Sequence, residues 1–291
     1  MRYAYYTGCV AKGATPELHY STVRVAERLG IGLSEMESAS CCGAGMITDA
    51  NPEINIALNA RTLALAERDG LDILTICNVC TLTLMEVNKR LKGDAGLLEE
   101  TNKVLRRVGL EYNGTVEVTH FLWVLAKDYG VEHLRQHVAR PLAGLKVAPF
   151  YGCQILRPSS ILGFEDPTNP TSLESIITAV GAEPVDYPGK TRCCGFLVVS
   201  YHEDTAVDMT GLNIKQAKDA GANCMVTPCP LCHVNLDAYQ AKAAKAVGTK
   251  LGLPVFHLTQ LIGLALGLEP VEVRATRNVV SPYKLIHSIG I

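Results

Sequence analysis

The sequence predicts an α/β protein made of two pseudo-symmetric, Rossmann-like lobes with mainly parallel sheets. In both halves of the 291-residue chain, short apolar segments alternate with amphipathic, helix-like segments. That alternation is typical of βαβ units. A pattern of five cysteines also occurs twice at closely matched spacing, which indicates an internal repeat. We therefore expect residues 1–144 and 145–291 to form the two lobes, joined near residues 140–144.

The strands and helices are expected in the same order in both halves. Residues 2–7 and 146–151 are short apolar strands that run into a Gly-Cys turn, and a further strand precedes each C-x-x-C motif. The helices start at capping residues, prolines or motif ends and mostly stop near glycines. They cover residues 16–29, 51–69, 82–91, 203–220 and 234–247. Thr15 is the expected N-cap of the first helix, and residues 93–111 form an added helix in the first half only.

Ten of the eleven cysteines belong to the repeat, in the order C…CC…C-x-x-C. The first set is Cys9, Cys41, Cys42, Cys77 and Cys80, and the second is Cys153, Cys193, Cys194, Cys229 and Cys232. The carboxyl ends of parallel strands meet at one rim of a sheet, so we expect the cysteines to gather there. The glycines that follow the two cysteine pairs allow backbone N–H groups to approach sulfur. Cys224 belongs to no motif, and we expect a buried, inert thiol there.

Composition narrows the possible functions. A net charge of −2 and a pI near 6.4 argue against a nucleic-acid-binding surface. We find no signal-peptide core, and the longest apolar stretch is about half of the roughly 20 residues that cross a bilayer. We therefore expect a cytoplasmic protein with no membrane span. Cysteines in such a reducing compartment are expected to bind metal or take part in redox chemistry rather than form disulfides.

Each cysteine set could hold either zinc or an iron–sulfur cluster. Zinc takes four ligands, whereas each set offers five. Adjacent cysteines are also poorly placed to bind one small ion, but they can bind different irons of one cluster. The pattern therefore favours iron–sulfur clusters over zinc. The chain lacks the ferredoxin pattern C-x2-C-x2-C-x3-C-P, so electrons would have to come from another protein of a complex or a soluble carrier.

The doubled C…CCG…C-x-x-C arrangement resembles the cysteine-rich CCG family. Over about residues 1–290 the chain is similar to the B subunits of heterodisulfide reductases of methanogenesis. The resemblance implies that the five cysteines of each set hold a non-cubane [4Fe-4S] cluster. It also implies an oxidoreductase that reduces the coenzyme M–coenzyme B heterodisulfide to two thiols. The implied partners are the two other proteins of such a complex, the ferredoxin-like C subunit and the flavin-containing A subunit. Two clusters that face one cavity could each supply one of the two electrons.

An electron-transfer role is the alternative. CCG repeats also occur in subunits of hydroxyacid- and quinone-linked oxidoreductases. In the heterodisulfide interpretation the substrate is anionic, so its cleft needs cations. Lys12 and Arg157 follow the first cysteine of each set, and Arg192 precedes the second cysteine pair. These three are candidate contacts for the anionic groups of the substrate, but solvated or structural charge is the more common role of such residues. His120 and His257 are expected to pack in the core or orient ligands rather than donate protons.

Overall fold

The computed structural model describes residues 1–291 and contains two four-stranded parallel sheets. The strands are β1 Arg2–Tyr6, β2 Gly32–Glu35, β3 Ile73–Thr75, β4 Val118–His120, β5 Lys146–Pro149, β6 Glu183–Pro184, β7 Cys224–Thr227 and β8 Val255–His257. The strand order is β2-β1-β3-β4 in one sheet and β6-β5-β7-β8 in the other. Because the two orders correspond strand by strand, the predicted α/β class and internal repeat are confirmed.

Helices cover both sheets. No helix of the structure combines the length and the hydrophobicity that a membrane span requires. They are α1 Gly8–Gly13, α2 Pro16–Arg28, α3 Met46–Ala50, α4 Pro52–Arg68, α5 Asn78–Gly93, α6 Ala95–Leu105, α7 Phe121–Trp123, α8 Val131–Gln136, α9 Ser159–Leu162, α10 Ser172–Ala179, α11 Glu203–Asp219, α12 Pro230–Ala238, α13 Gln240–Ala246, α14 Leu258–Ala265 and α15 Tyr283–Ser288. A π-helical segment, Val124–Asp128, continues α7. The added helix of the first half is α6, followed by a short 3-10 turn.

The helix starts depend on local capping, and one predicted cap differs from the structure. Asn51 caps α4 because its side-chain oxygen accepts a hydrogen bond from the Ile54 N–H at 3.0 Å. Thr15 occupies the N-cap position of α2, as predicted, but its side chain makes no capping bond. Its hydroxyl instead donates to the Val10 carbonyl at 3.4 Å. The predicted helix over 234–247 begins earlier, at Pro230, and is interrupted between α12 and α13.

In each half, the helix that follows the last strand of the sheet packs against the other half. Helix α14, which follows β8, packs on α2 of the first half, where the Ser21 and Thr259 hydroxyl oxygens lie 2.6 Å apart. In the opposite direction, α7 and its π-helical continuation pack on α10 of the second half. This exchange joins the halves on the face of the sheets that carries α2 and α10.

The protein has two apolar cores, and each contains residues of both halves; the exchanged helices belong to the first of them. One includes Val25 and Phe256, and the other includes Leu63 and Phe150. All four side chains are fully buried. The halves therefore cannot be separated without exposing both cores to water. The division into domains 1–144 and 145–291 stays a prediction.

Candidate metal centres

The two C-x-x-C motifs lie where strands end and helices begin. Cys77 and Cys229 follow β3 and β7 and are the N-cap residues of α5 and α12. Cys80 and Cys232 therefore lie in the first turn of each helix. Backbone N–H groups and the helix dipole at this end favour thiolate over thiol. The sheet rim thus presents two equivalent pairs of sulfur atoms that are suited to bind a cation.

The first cysteine set lines one cavity of about 130 Å³. The sulfur atoms of Cys9 and Cys41 lie 3.4 Å apart, and those of Cys42 and Cys80 lie 3.5 Å apart. Cys77 completes the set and is buried, as are Cys42 and Cys80, whereas Cys9 and Cys41 reach the surface. No charged side chain lines this cavity. Its chemistry is therefore that of thiols in an apolar pocket with one solvent-facing edge.

The second cysteine set lines a neighbouring cavity of about 30 Å³. Cys153 and Cys193 are half-buried, and the other three cysteines of the set are buried. Four side chains line both cavities: Val79, Phe196, Leu197 and Leu231. The thiols of Cys77 and Cys229 also interact across the boundary, and this interaction is the largest cause that raises the pKa of Cys77. The two sites are therefore separated by little more than one layer of side chains.

Glycines bring the backbone close to sulfur in both sets. Gly8 and Gly152 have φ angles of 71° and 74°, and a Cβ atom added there would lie 3.2 Å from Cys80 Sγ and 2.9 Å from Cys232 Sγ, respectively. The glycines after the cysteine pairs have the predicted role. The Gly43 N–H donates to Cys41 Sγ at 3.4 Å. In the second half, Gly195 donates in the same way to the first cysteine of its pair, at 3.3 Å. N–H groups that donate to sulfur also tune the potential of a bound cluster.

Crowding of the thiols controls their ionisation. Hydrogen bonding with Cys42 and then with Cys9 lowers the pKa of Cys41 to about 2. In the second set, a hydrogen bond from Cys153 is the largest cause that lowers the pKa of Cys193, also to about 2. The same contacts raise the pKa values of the partner thiols, Cys9 and Cys153. Full ionisation of either set therefore requires a cation among the sulfur atoms.

These features fit an iron–sulfur cluster better than a single zinc ion. Five sulfur atoms converge on each cavity, and no histidine or carboxylate lines either one. The residues that would hold the groups are the ten motif cysteines, five to each cluster. This ligand assignment stays a prediction.

Cys224 and His120 lie in the core, outside the two cavities. Cys224 is fully buried in β7, and burial raises the pKa of its thiol. His120 caps α7, since its Nδ1 accepts a hydrogen bond from the Leu122 N–H at 3.0 Å, while its Nε2 has no hydrogen-bond partner. Burial lowers the pKa of His120 to about 4, so the ring is neutral at pH 7.

The three predicted substrate cations do not meet in one place. Lys12 pairs with Glu35 at 2.5 Å and lines a pocket of about 170 Å³ that also contains Cys9 and Cys41 of the first set. Arg157 donates a hydrogen bond to a backbone carbonyl, and Arg192 donates to the side chain of Gln216 at 3.4 Å. None of the three lines the large cleft that adjoins the cysteine cavities. Their contact with substrate stays a prediction.

This large cleft has a volume of about 920 Å³ and touches both cysteine cavities. It shares Ala44 and Leu197 with the first cavity, and Gln154 and Leu197 with the second. The apolar Leu197 therefore stands at the junction of all three spaces. A molecule bound at the Leu197 end of the cleft would lie beside both cysteine sets.

The charged residues of the cleft could not be recognised from the sequence. Its cations are Lys89 and Arg90 of α5, and its acids are Asp49, Glu86 and Asp94. Since the acids outnumber the cations, the cleft is not a cationic pocket. Only their position in the sequence could have indicated that Lys89 and Arg90 lie near the site. They follow Cys77 by a little over three helical turns, on the helix that begins at the C-x-x-C motif.

The fold and the two thiol sites define a cysteine-rich redox protein, and comparison with known proteins agrees. Residues 3–85 and 147–237 match the CCG cysteine-rich domain family. The chain is 44% identical over 283 residues to the 8-methylmenaquinol:fumarate reductase membrane anchor subunit of Wolinella succinogenes, covering 97% of this chain and 98% of that protein. It is 34% identical over 287 residues to the B subunit of a CoB-CoM heterodisulfide reductase of Methanosarcina acetivorans, covering 98% of this chain and 95% of that protein.

The fold is also found in a crystal structure of a hypothetical protein from Helicobacter pylori. The TM-score is 0.78 at 14% identity, over 96% of this chain. The chain spans about half, 52%, of that structure, so this likeness shows the fold alone. The family match and the two relatives show more: this chain belongs to the CCG cysteine-rich domain family, with two copies of the domain. Its relatives are oxidoreductase subunits.

Proposed function

We propose that the chain is a two-cluster electron-transfer subunit of a quinone-linked oxidoreductase complex. The observation that carries this proposal is the position of the two cysteine cavities, which share four wall residues and open beside one cleft. The 44% identity to a subunit of an 8-methylmenaquinol:fumarate reductase supports the quinone link. That relative is called a membrane anchor, although none of the helices here could span a membrane.

The chemistry of a quinone suits this arrangement. A quinol releases two electrons and two protons when it becomes a quinone, and iron–sulfur clusters, when bound, exchange electrons one at a time. Two adjacent cysteine sets match that stoichiometry. Side chains of the cleft supply an apolar contact and a proton acceptor. Leu197 offers an apolar surface for the quinone ring, and Glu86 can take up a proton. Burial raises the pKa of Glu86, which brings proton exchange closer to neutral pH.

Heterodisulfide reduction is the second candidate function. The 34% identity to the B subunit of a heterodisulfide reductase over nearly the whole chain favours it, as does the shared boundary of the two cavities. The charge of the cleft disfavours heterodisulfide reduction. The sulfonate, carboxylate and phosphate groups of that substrate would be repelled by Asp49, Glu86 and Asp94. In this alternative, the flavin-containing and ferredoxin-like proteins of such a complex would be the partners. A cytoplasmic location stays a prediction under both candidates.

A stopped-flow experiment separates the two functions. The anaerobic, cluster-loaded protein is reduced and then mixed with either a water-soluble naphthoquinone or the coenzyme M–coenzyme B heterodisulfide. We expect rapid, saturable reoxidation by the quinone and none by the heterodisulfide. Rapid reoxidation by the heterodisulfide alone would contradict the proposal.

A variant controls for oxidation outside the cleft. Replacing Leu197 with Glu should slow the saturable reaction by about tenfold or more, because the ring loses its apolar contact and meets a further charge. Replacing the exposed Val271, which does not line the cleft, with Glu should leave the rate unchanged. Iron content is measured in both variants so that cluster loss is not mistaken for loss of binding.

A further inference from the structure

One residue of each C-x-x-C motif lies against the cysteine cavity of the opposite half. Asn78, the residue after Cys77, lines the second cavity, and Pro230, the residue after Cys229, lines the first. Both are buried, and each is the first residue of its helix, α5 and α12 respectively. The internal repeat therefore gives these two positions the same place in the fold, although their residue types differ.

The side chain of Asn78 holds a loop of the second half. Its Nδ2 donates a hydrogen bond to the Tyr151 carbonyl at 2.7 Å. Tyr151 immediately precedes Gly152 and Cys153, and a Cβ atom added at Gly152 would lie 3.6 Å from this amide nitrogen. The amide therefore lies beside the turn that carries the first cysteine of the second set. The helix start does not require an amide, because a proline begins α12 at the same position.

The backbone N–H of Asn78 bonds outside its own helix. The first N–H groups of an α-helix have no partner within the helix. This N–H donates instead to the sulfur of Cys229, which belongs to the second set. Burial, the largest influence, raises the pKa of the Cys229 thiol. Hydrogen bonding with the thiols of Cys232 and Cys77 outweighs burial, together with the N–H groups of Cys232 and Asn78, and the pKa falls well below its ordinary value.

The reciprocal donor is missing at the first set. Proline has no backbone N–H, so Pro230 cannot donate to the sulfur of Cys77. Cys77 and Cys229 are otherwise equivalent, because they are the N-cap residues of α5 and α12 and their thiols interact with each other. At this position, the second set therefore receives an N–H donor from the opposite half and the first set does not.

We propose that Asn78 is a positioning residue for the second cluster and that its backbone N–H, by donating to Cys229, raises the reduction potential of that cluster. The inference rests on the two-cluster part of the function proposed above and not on the quinone. An N–H donor stabilises a sulfur ligand more strongly as its negative charge grows, so it favours the reduced cluster. Pro230 withholds the same contribution from the first cluster. The two residues therefore contribute to a difference in potential between the clusters.

A redox titration of the anaerobic, cluster-loaded protein, followed by electron paramagnetic resonance, tests the proposal. Asn78→Pro removes the N–H and reproduces the residue of the second motif. The backbone permits it, because Cys77 has the extended φ and ψ of −139° and 120° that a residue before proline adopts. At a fixed potential, we expect the ratio of reduced to oxidised second cluster to fall about tenfold, which is about 59 mV for a one-electron couple. The other cluster should keep its potential, with full iron content. Unchanged potentials for both clusters would overturn the proposal.

Asn78→Ala separates the effect of the N–H from that of the side chain. It removes the hydrogen bond to the Tyr151 carbonyl but keeps the N–H. We therefore expect a lower melting temperature and the wild-type potentials. Equal shifts of potential in Asn78→Ala and Asn78→Pro would show that the side chain or the loop sets the potential, and would overturn the proposal.

The opposite change in the second motif gives an independent result. Pro230→Ala supplies an N–H beside Cys77 and keeps the start of α12, since alanine is a good helix former. We expect it to raise the potential of the cluster that Asn78→Pro leaves unaltered. No change there would contradict the proposal, and this variant decides the question if Asn78→Pro loses iron. Equilibrium potentials do not depend on the substrate, so these outcomes are independent of the stopped-flow test with the quinone.

Discussion

Replacing Cys80 with alanine is expected to remove about half of the bound iron and to leave the rest in place. If each cysteine set holds a four-iron cluster, the chain should fall from about eight iron atoms to about four. Cys80 is buried and its sulfur lies 3.5 Å from that of Cys42, so nothing from solvent can readily replace it as a ligand. The second set keeps all five of its cysteines. Iron and acid-labile sulfide per chain, measured on anaerobically purified protein, give the result.

The matched control for this substitution is Cys224→Ala. Cys224 is the one cysteine outside the repeat, and it is fully buried in β7. Its replacement should leave the iron content at the wild-type level, although it removes a buried sulfur atom. A Cys80→Ala protein with full iron, or a Cys224→Ala protein with half of it, would show that the cysteine sets are wrongly assigned.

Replacing Gly152 with alanine is expected to remove the second cluster without any change of ligand. The new Cβ would lie 2.9 Å from Cys232 Sγ, closer than such atoms approach, so the sulfur atom or the loop must move. The φ of 74° adds a backbone cost of about 1–2 kcal/mol for a residue with a side chain. We therefore expect about half of the iron to be lost and the melting temperature to fall.

A second glycine separates the two effects of that substitution. Gly70 follows α4 with a φ of 65°, and a Cβ atom added there would have no neighbour within 4 Å. Gly70→Ala should therefore carry a similar backbone cost, with a similar fall in melting temperature, and keep all its iron. Equal iron content in the Gly152 and Gly70 variants would contradict the proposed approach of the loop to the cluster.

The sequence predicted those features that depend on local residue patterns. Strand periodicity and glycine positions predicted β1 and β5, and the matched cysteine spacing predicted two equivalent sites at the sheet rim. The approach of backbone N–H groups to sulfur after each cysteine pair was also foreseen, because glycine alone leaves room for it. These features depend on residues that are close in the chain or repeated along it.

Features that depend on tertiary packing could not be predicted in the same way. The periodicity of α14 predicts an apolar face but not the surface that this face covers, so it could not reveal the packing of α14 on α2. Lys89 and Arg90 belong to no sequence motif, and only the folded structure shows that both line the cleft. Glu17 meets His233 and His257 from the far end of the chain, a contact between residues of different halves. Thr15 shows that local prediction also has a limit. It occupies the predicted N-cap position of α2, but its side chain does not form the capping hydrogen bond.

The central claim is that two iron–sulfur centres lie side by side across the wall formed by Val79, Phe196, Leu197 and Leu231. Electron paramagnetic resonance tests it most directly, on protein poised so that both centres are paramagnetic. The account predicts signals broadened or split by magnetic interaction between the centres, and a simple, unsplit signal in the Cys80→Ala variant. Two signals without mutual broadening in the wild-type protein, one of which persists unaltered in the Cys80→Ala variant, would contradict it.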